Sequence, residues 1–248
     1  MLEEDFELEQ MLGVGGLGIV WSARSANGNR VAIKITDMRG LYVDYAVLAI
    51  RHPNVVQTRQ IIKGGDKVAY VMDLVTGETL EMVPSPMTPA SVVRILDRLL
   101  DALEYLHEQG WCRLDIKPKN IVMRAPREPV IIDLGTAVKL RDLGQALDAM
   151  FIGTPAFAAP EAWVGKVDIR SDLYSLTMTM AYALGSPPKS EPLDTSFSPR
   201  LELDSLSISY DLLTVFKRGL SQDPDDRFPD PQAMRVALHD TPEWRDIS

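Results

Sequence analysis

The chain has 248 residues, 46% of them hydrophobic and 25% charged, and a formal net charge of −9. That is enough ordinary globular sequence for one large domain or two small lobes sharing a core, and it argues against disorder. The acidic balance disfavours nucleic acid or an anionic membrane as partner, and the single cysteine, Cys112, excludes an internal disulfide and any multi-cysteine metal site.

In chain order, the acidic start Met1-Leu2-Glu3-Glu4-Asp5 is unlike a signal peptide. Phe6, Leu8 and Leu12 sit at even spacing and predict one face of a strand. A glycine-rich turn follows, then Ile19-Val20-Trp21, a hairpin signal at Asn27-Gly28 and a further strand over Val31 to Ile35. Val55 to Ile62 and Lys67 to Asp73 predict another strand pair, turned by Gly64-Gly65. Near Pro84-Ser85-Pro86 the character changes. Thr88 can cap a helix with Pro89 in its first position. Val92, Ile95, Leu96, Leu99, Leu103 and Leu106 then share one helical face, and Gly110 can close the helix. Short strands are predicted around Trp111-Cys112, Ile121 to Met123 and Val130 to Ile132, with helix resuming near Asp168. The uncharged stretch Leu173 to Pro188 is too short for a bilayer span and reads as a buried helix, and 186–200 reads as a surface loop. His52, His107 and His239 lie far apart, without metal-ligand spacing. A soluble protein of a reducing, cytoplasmic compartment is expected. A strand-rich part, 1–74, precedes a helix-rich part, 75–248.

The chemistry is written in a few short segments. Gly13-Val14-Gly15-Gly16-Leu17-Gly18-Ile19-Val20 fits G-x-G-x-x-G-x-V, in which backbone N–H groups can approach phosphate oxygens without side-chain clash. Such a turn alone is a weak signal. β-Branched and aromatic residues follow it, which suggests a flap between two strands rather than a dinucleotide-binding turn. Lys34, between apolar neighbours on the next strand, reads as a cation for the nucleotide's phosphates. In Asp115-Ile116-Lys117-Pro118-Lys119-Asn120 the acid can receive a proton from a hydroxyl nucleophile. Lys117 can neutralise a moving phosphoryl group, and Asn120 can ligate a metal ion. Asp133-Leu134-Gly135, after the apolar run Val130 to Ile132, is a second candidate metal ligand.

These segments, with Gly153 to Glu161, Ser171-Asp172-Leu173-Tyr174-Ser175 and Asp223-Pro224-Asp225-Asp226-Arg227-Phe228, resemble in order the motifs of eukaryotic-like serine/threonine protein kinases. The resemblance covers nearly the whole chain. It implies an α+β fold of two lobes, a small antiparallel β-rich N-lobe and a larger helical C-lobe, with ATP in the cleft. It also implies that Gly13, Val14, Gly15, Gly16, Gly18, Val20 and Ala32 bind the nucleotide and that Lys34 holds its α/β-phosphates. Met72 would be the gatekeeper, and Asp73, Leu74 and Val75 the hinge to adenine. Asp115 would be the catalytic base, Lys117 the γ-phosphate contact, and Asn120 and Asp133 the Mg²⁺ ligands. Lys117 and Gly153-Thr154-Pro155 resemble the serine/threonine rather than the tyrosine kinases, so the partner is a protein substrate offering Ser or Thr. Arg227 is expected to pair with Glu161, and Thr154 to lie near the base.

The sequence departs from the pattern in two places. Arg113-Leu114-Asp115 stands where the family has His-Arg-Asp, so Leu114 replaces the arginine that receives the activation-segment phosphate. Residues 137–153 contain no Ser, Thr or Tyr, so phosphate receptor and phosphate site are missing together. Secondly, the glutamate that pairs with Lys34 falls on Val43, beside Asp44, within a shortened helix. Arg113, expected in the interior, is predicted to form an ion pair with Asp172. Two other readings stay open: a catalytically dead nucleotide-binding scaffold and a small-molecule phosphotransferase of related fold.

Overall fold

Apolar alternation and hairpin turns fold the first part of the chain into five antiparallel strands. They are β1 (Phe6–Gly15), β2 (Gly18–Ser25), β3 (Arg30–Asp37), β4 (Thr58–Gly64) and β5 (Lys67–Asp73), in the sheet order β1-β2-β3-β5-β4. The structure, a computed structural model, describes residues 5–15, 18–37, 44–135, 137–143, 153–188 and 201–245. Two units divide the chain, Met1–Thr76 and Gly77–Ser248.

In the first unit, Asn27-Gly28 turns β2 into β3: Gly28 adopts φ +81° and donates its N–H to the Ser25 carbonyl at 2.8 Å. One face of the sheet carries an apolar core of Ala23, Ile33, Ala69 and Val71, with Phe6, Val31, Ile35 and Ile62 packed against it. Cross-strand register sets the other face. Val20, Lys34 and Tyr70 lie opposite one another on β2, β3 and β5, as do Ser22, Ala32 and Met72. The single face expected for Phe6, Leu8 and Leu12 is not kept along β1. Phe6 joins the core, but Leu8 and Leu12 are 40% and 48% exposed. Register shifts between Leu8 and Gln10 and between Met11 and Gly13 break the two-residue alternation on this edge strand. The next strand pair also starts later than expected, at Thr58; Val55 and Val56 are buried ahead of it, beside a bridge from His52 to Val55. Tyr45–Ala49 form one short 3₁₀ turn capped by Asp44, whose Oδ1 accepts the Ala46 N–H at 2.8 Å.

The second unit is built around α1 (Pro89–Glu108) and α2 (Ile169–Ala183), with α3 (Tyr210–Gly219), α4 (Pro231–His239) and α5 (Pro242–Arg245) following. Thr88 caps α1 by accepting the Ser91 N–H, Pro89 takes the first position, and Gly110 leaves the helix at φ +76°. The six apolar residues expected on one face are all buried, joined by Val93, Leu100 and Ala102, so α1 is enclosed more widely than a single stripe. It packs on α2 and α4. Nearly all of α2 is buried. Its Thr177 and Thr179 donate to the carbonyls of Leu173 and Ser175 four residues back, which satisfies two interior hydroxyls. Asp168 caps α2 in a reciprocal box with Ser171. Five short strands complete the unit: β6 (Glu78–Thr79), β7 (Trp111–Cys112), β8 (Ile121–Met123), β9 (Pro129–Ile131) and β10 (Val138–Lys139). They form a sheet β6-β8-β9 and a pair β10-β7. The loop expected over 186–200 falls mostly outside the described residues.

Gly18 sets how closely β2 approaches β3. It has φ +125°, and a Cβ there would stand 2.2 Å from the Ile35 carbonyl oxygen, one residue beyond Lys34. Gly18→Ala should therefore destabilise the first unit by about 1–3 kcal/mol. Urea unfolding followed through Trp21 fluorescence, which sits on β2, measures this, and an unchanged midpoint would contradict the account.

Candidate active site

The β8–β9 hairpin places two candidate oxygen ligands, Asn120 and Asp133, at one end. Asn120 immediately precedes β8 and Asp133 follows β9 by two residues, and the strands pair antiparallel with Ile121 opposite Ile131. The Ile132 N–H donates to the Asn120 carbonyl at 3.0 Å, so the two segments are joined just beyond the sheet. Asp133 turns the chain by accepting the Gly135 N–H on Oδ1 at 2.8 Å. Asn120 commits its Nδ2 to the Asp115 carbonyl and to Asp115 Oδ2, at 2.9 and 3.0 Å. The amide oxygen is then the atom that can face a cation. An amide oxygen and a carboxylate suit a hard ion such as Mg²⁺, so the donor set fits.

Asp115 is buried and gathers the other expected residues around its carboxylate. Lys117 Nζ lies 2.9 Å from Oδ2, and Thr154 Oγ1 donates to Oδ1 at 2.8 Å. Lys117 Nζ also donates to Thr154 Oγ1 at 2.5 Å. Asp115, Lys117, Asn120 and Thr154 thus form one connected cluster, and Thr154 stands beside Asp115 as the resemblance implied.

The backbone of this loop is fixed from α2. Asp172 has no solvent exposure; its two oxygens accept the Arg113 and Leu114 N–H groups, each at 2.8 Å. His107 Nε2 at the end of α1 lies 2.9 Å from Oδ2, and the Cys112 thiol points at the same oxygen from 3.4 Å. Burial by itself raises the Asp172 pKa. The His107 contact and the two backbone donors outweigh burial and hold the carboxylate below its usual range. Arg113 lies in the interior as expected, at 1% exposure, its backbone N–H is one of the two that Asp172 accepts, and the ring that faces the carboxylate is His107. Sequence reading missed His107, although it lies four residues after Leu103 on the buried side of α1. Burial, and then the Asp172 charge, push the Cys112 thiol well up, which suits its reading as a small core residue.

A second buried charge pair closes the segment that follows. Arg227 forks onto Glu161 with two bonds of 2.8 Å, as the sequence led one to expect. Ser171 Oγ donates to Glu161 at 2.5 Å, and Arg227 also donates to the carbonyls of Ser221, Arg170 and Gln222. Each charge is paired and hydrogen-bonded, the condition for tolerating burial.

In the first unit, Val20, Ala32, Lys34 and Met72 share one face of the sheet by register, and Lys34 is only 5% exposed although it carries an amine. Gly13 lies opposite Val20, Val14 opposite Ile19 and Gly15 opposite Gly18, so the glycine segment is a flap between two strands. At the end of β5 Asp73 donates its N–H to the Gln57 carbonyl at 3.0 Å, and its carboxylate receives the Arg59 fork at 2.6 and 2.8 Å. Leu74 and Val75 follow, partly buried. Gly16, Val43 and Thr136 lie outside the described residues.

The lowered pKa of Asp172 has a stability consequence of definite sign. A carboxylate depressed in the folded state contributes stability above its unfolded value, and that contribution is lost as pH falls through the folded value. Asp172→Asn should cost about 3–5 kcal/mol at pH 7, and the gap to wild type should shrink in acid. Urea unfolding at neutral pH and near pH 3 checks both, and a gap that widens in acid would contradict the assignment.

Residues 6–235 match the family model described as the protein kinase domain. Among curated relatives, the serine/threonine-protein kinase PkaA of Streptomyces coelicolor is 30% identical, over 93% of this chain and 48% of its own length. The serine/threonine-protein kinase pkn2 of Myxococcus xanthus is 31% identical, over 92% of the chain and 31% of its own. PknB of Mycobacterium tuberculosis, also a serine/threonine-protein kinase, is 29% identical, over 96% and 43%. The chain therefore spans half or less of the length of these relatives. Among the described residues no helix is long and apolar enough to cross a membrane. With the match extending over nearly the whole chain and the Asp115 cluster assembled as above, the chain belongs to the protein kinase domain family.

Proposed function

We propose that the chain transfers the γ-phosphate of ATP to Ser or Thr hydroxyls of protein substrates with the help of Mg²⁺, and that it needs no phosphate on its own activation segment. The observation that carries this reading is the Asp115 carboxylate held at once by Thr154, Lys117 and Asn120. In the step, the substrate hydroxyl oxygen forms a bond to the γ-phosphorus while the bond from that phosphorus to the β–γ bridging oxygen breaks. ADP leaves, and the hydroxyl proton passes to Asp115. Lys117 offsets the charge of the moving phosphoryl group. Mg²⁺, held by Asn120 and Asp133, would supply further charge neutralisation on the phosphates. Lys34 would hold the α/β-phosphates under the flap of Gly13 to Gly18, and Val20 and Ala32 would meet the base. Met72 acts as gatekeeper and Asp73 to Val75 as the adenine hinge. The apolar Leu114 and the lack of a hydroxyl over 137–153 support the second part of the reading. The relatives' printed names support Ser and Thr as acceptors. A cytoplasmic setting is part of the proposal and is supported by a lone, buried cysteine.

Radiolabelled ATP with Mg²⁺ and a generic protein substrate tests the activity. Label on protein is expected. ATP binding without turnover would favour a dead scaffold, and label on small molecules a related phosphotransferase. Asp115→Asn should lower kcat by about 10²–10⁴-fold with ATP affinity retained, and full activity in this variant would refute the assigned base. Phosphatase-treated protein should begin transfer without a lag. A lag that disappears after pre-incubation with ATP, with phosphate mapped to the activation segment, would refute the phosphate-independent reading.

A further inference from the structure

We propose that Leu114 is a positioning residue: it holds the segment after Asp133 in its working place by apolar packing, where an arginine–phosphate contact would otherwise do so. The proposal rests on the kinase reading above and names how that site is regulated.

Leu114 adopts φ +60°, the sole positive φ at a non-glycine residue among those described, and a backbone that a bulky side chain rarely takes. Two contacts hold it there. Its N–H donates to Asp172 Oδ1 at 2.8 Å, and its side chain is buried in a cluster with Cys112, Leu143, Ala158, Ala162 and Val167. Val138 and Leu140 pack against the same cluster. Three of these residues, Val138, Leu140 and Leu143, belong to the segment that follows Asp133, whereas Ala158 and Ala162 flank Glu161 at its far end. One side chain of the catalytic loop therefore touches a core shared by both ends of the segment. Backbone pairing reinforces the near end: Val138 lies opposite Cys112, and the Leu140 N–H donates to the Gly110 carbonyl at 2.9 Å. Lys139 donates to the Gln109 carbonyl at 3.0 Å and lies 4.0 Å above the Trp111 ring.

A cluster lined by alkyl groups has nothing to offer a phosphate, and residues 137–153 have no hydroxyl to carry one. Burial of Leu114 with Leu143 is present whenever the chain is folded. The position of residues 138–143 is then set by folding and not by a modifying enzyme.

Three variants test this: Leu114→Ala, Leu143→Ala, which acts from the segment's side, and Leu114→Met, which keeps the apolar volume. Two readouts are needed, amide hydrogen exchange across the second unit and steady-state kinetics with ATP and a protein substrate. Both alanine variants should speed exchange at residues 138–143 by about tenfold or more while α2 keeps its protection. Both should lower kcat by a similar factor with ATP affinity unchanged. Leu114→Met should bring both readouts back to within about twofold of wild type. Unchanged exchange at 138–143 in the alanine variants, or exchange rising equally in α2, would overturn the proposal. Should the wild-type chain transfer no phosphate, the kinase reading falls, and the exchange pattern still decides whether Leu114 holds the segment.

Discussion

An ionised carboxylate without solvent contact persists only where hydrogen bonds replace its lost hydration, and at Asp172 that requirement shapes the catalytic loop. Two consecutive backbone N–H groups, at Arg113 and Leu114, converge on its two oxygens. Just after the second of these N–H groups the left-handed backbone of Leu114 turns the chain. Asp115 follows directly, so the direction in which its carboxylate leaves the loop is set by a group on a different helix. His107 adds a ring from the end of α1, and three elements distant in sequence meet at one buried charge.

The N-terminal turn of α2 carries most of this architecture. Asp168 caps it, Ser171 both completes the cap and donates to Glu161, and Asp172 anchors the loop. Acids in the first turn of a helix are favoured by the dipole of its peptide groups, so the turn that needs a cap also stabilises the anchor. Glu161 is tied in the same place and receives the Arg227 fork. The buried charges Asp172 and Glu161 are therefore both tied to one helical turn, through Asp168, Ser171 and Asp172. The interior threonines farther along α2 satisfy their hydroxyls on their own helix.

Local signals in the sequence were legible where the physics is local. Thr88-Pro89 and Gly110 bound α1, Asn27-Gly28 turns β2 into β3, and the spacing from Asp115 to Asn120 lets the amide of one reach the carboxylate of the other. The Glu161–Arg227 pair was legible only through the family resemblance, because 66 residues separate its members. Elsewhere the reading ran out for identifiable reasons. Even spacing placed Phe6, Leu8 and Leu12 on one strand face, but each register shift in β1 inserts a residue, and periodicity cannot show where an extra residue sits. The His107 ring that meets Asp172 carried no signal, because 65 residues separate the two. The backbone N–H groups of Arg113 and Leu114 take one oxygen each. With both oxygens engaged, a ring donor arriving from α1 completes the shell. Arg59, which forks onto Asp73 from the neighbouring strand, carried no motif at all.

Replacing an arginine by a leucine beside Asp115, the proposed base, changes the kind of interaction and not merely its strength. A phosphate held by arginine is a charge contact that can be made and removed by other enzymes, so the segment it orders has two states. Apolar burial has no such handle, since its driving force is the water it excludes, and that is fixed by composition. Leu114 can serve this way because the electrostatic work of fixing the loop backbone is already done by Asp172. The side chain of Leu114 is then free to face the activation segment, and in this cluster its neighbours Cys112, Leu143, Ala158, Ala162 and Val167 are uniformly uncharged. A stretch, 137–153, without hydroxyls and a loop without the phosphate-binding arginine are two expressions of one arrangement, because either alone would leave an unmatched group: a phosphate without its cation, or a buried cation without its phosphate.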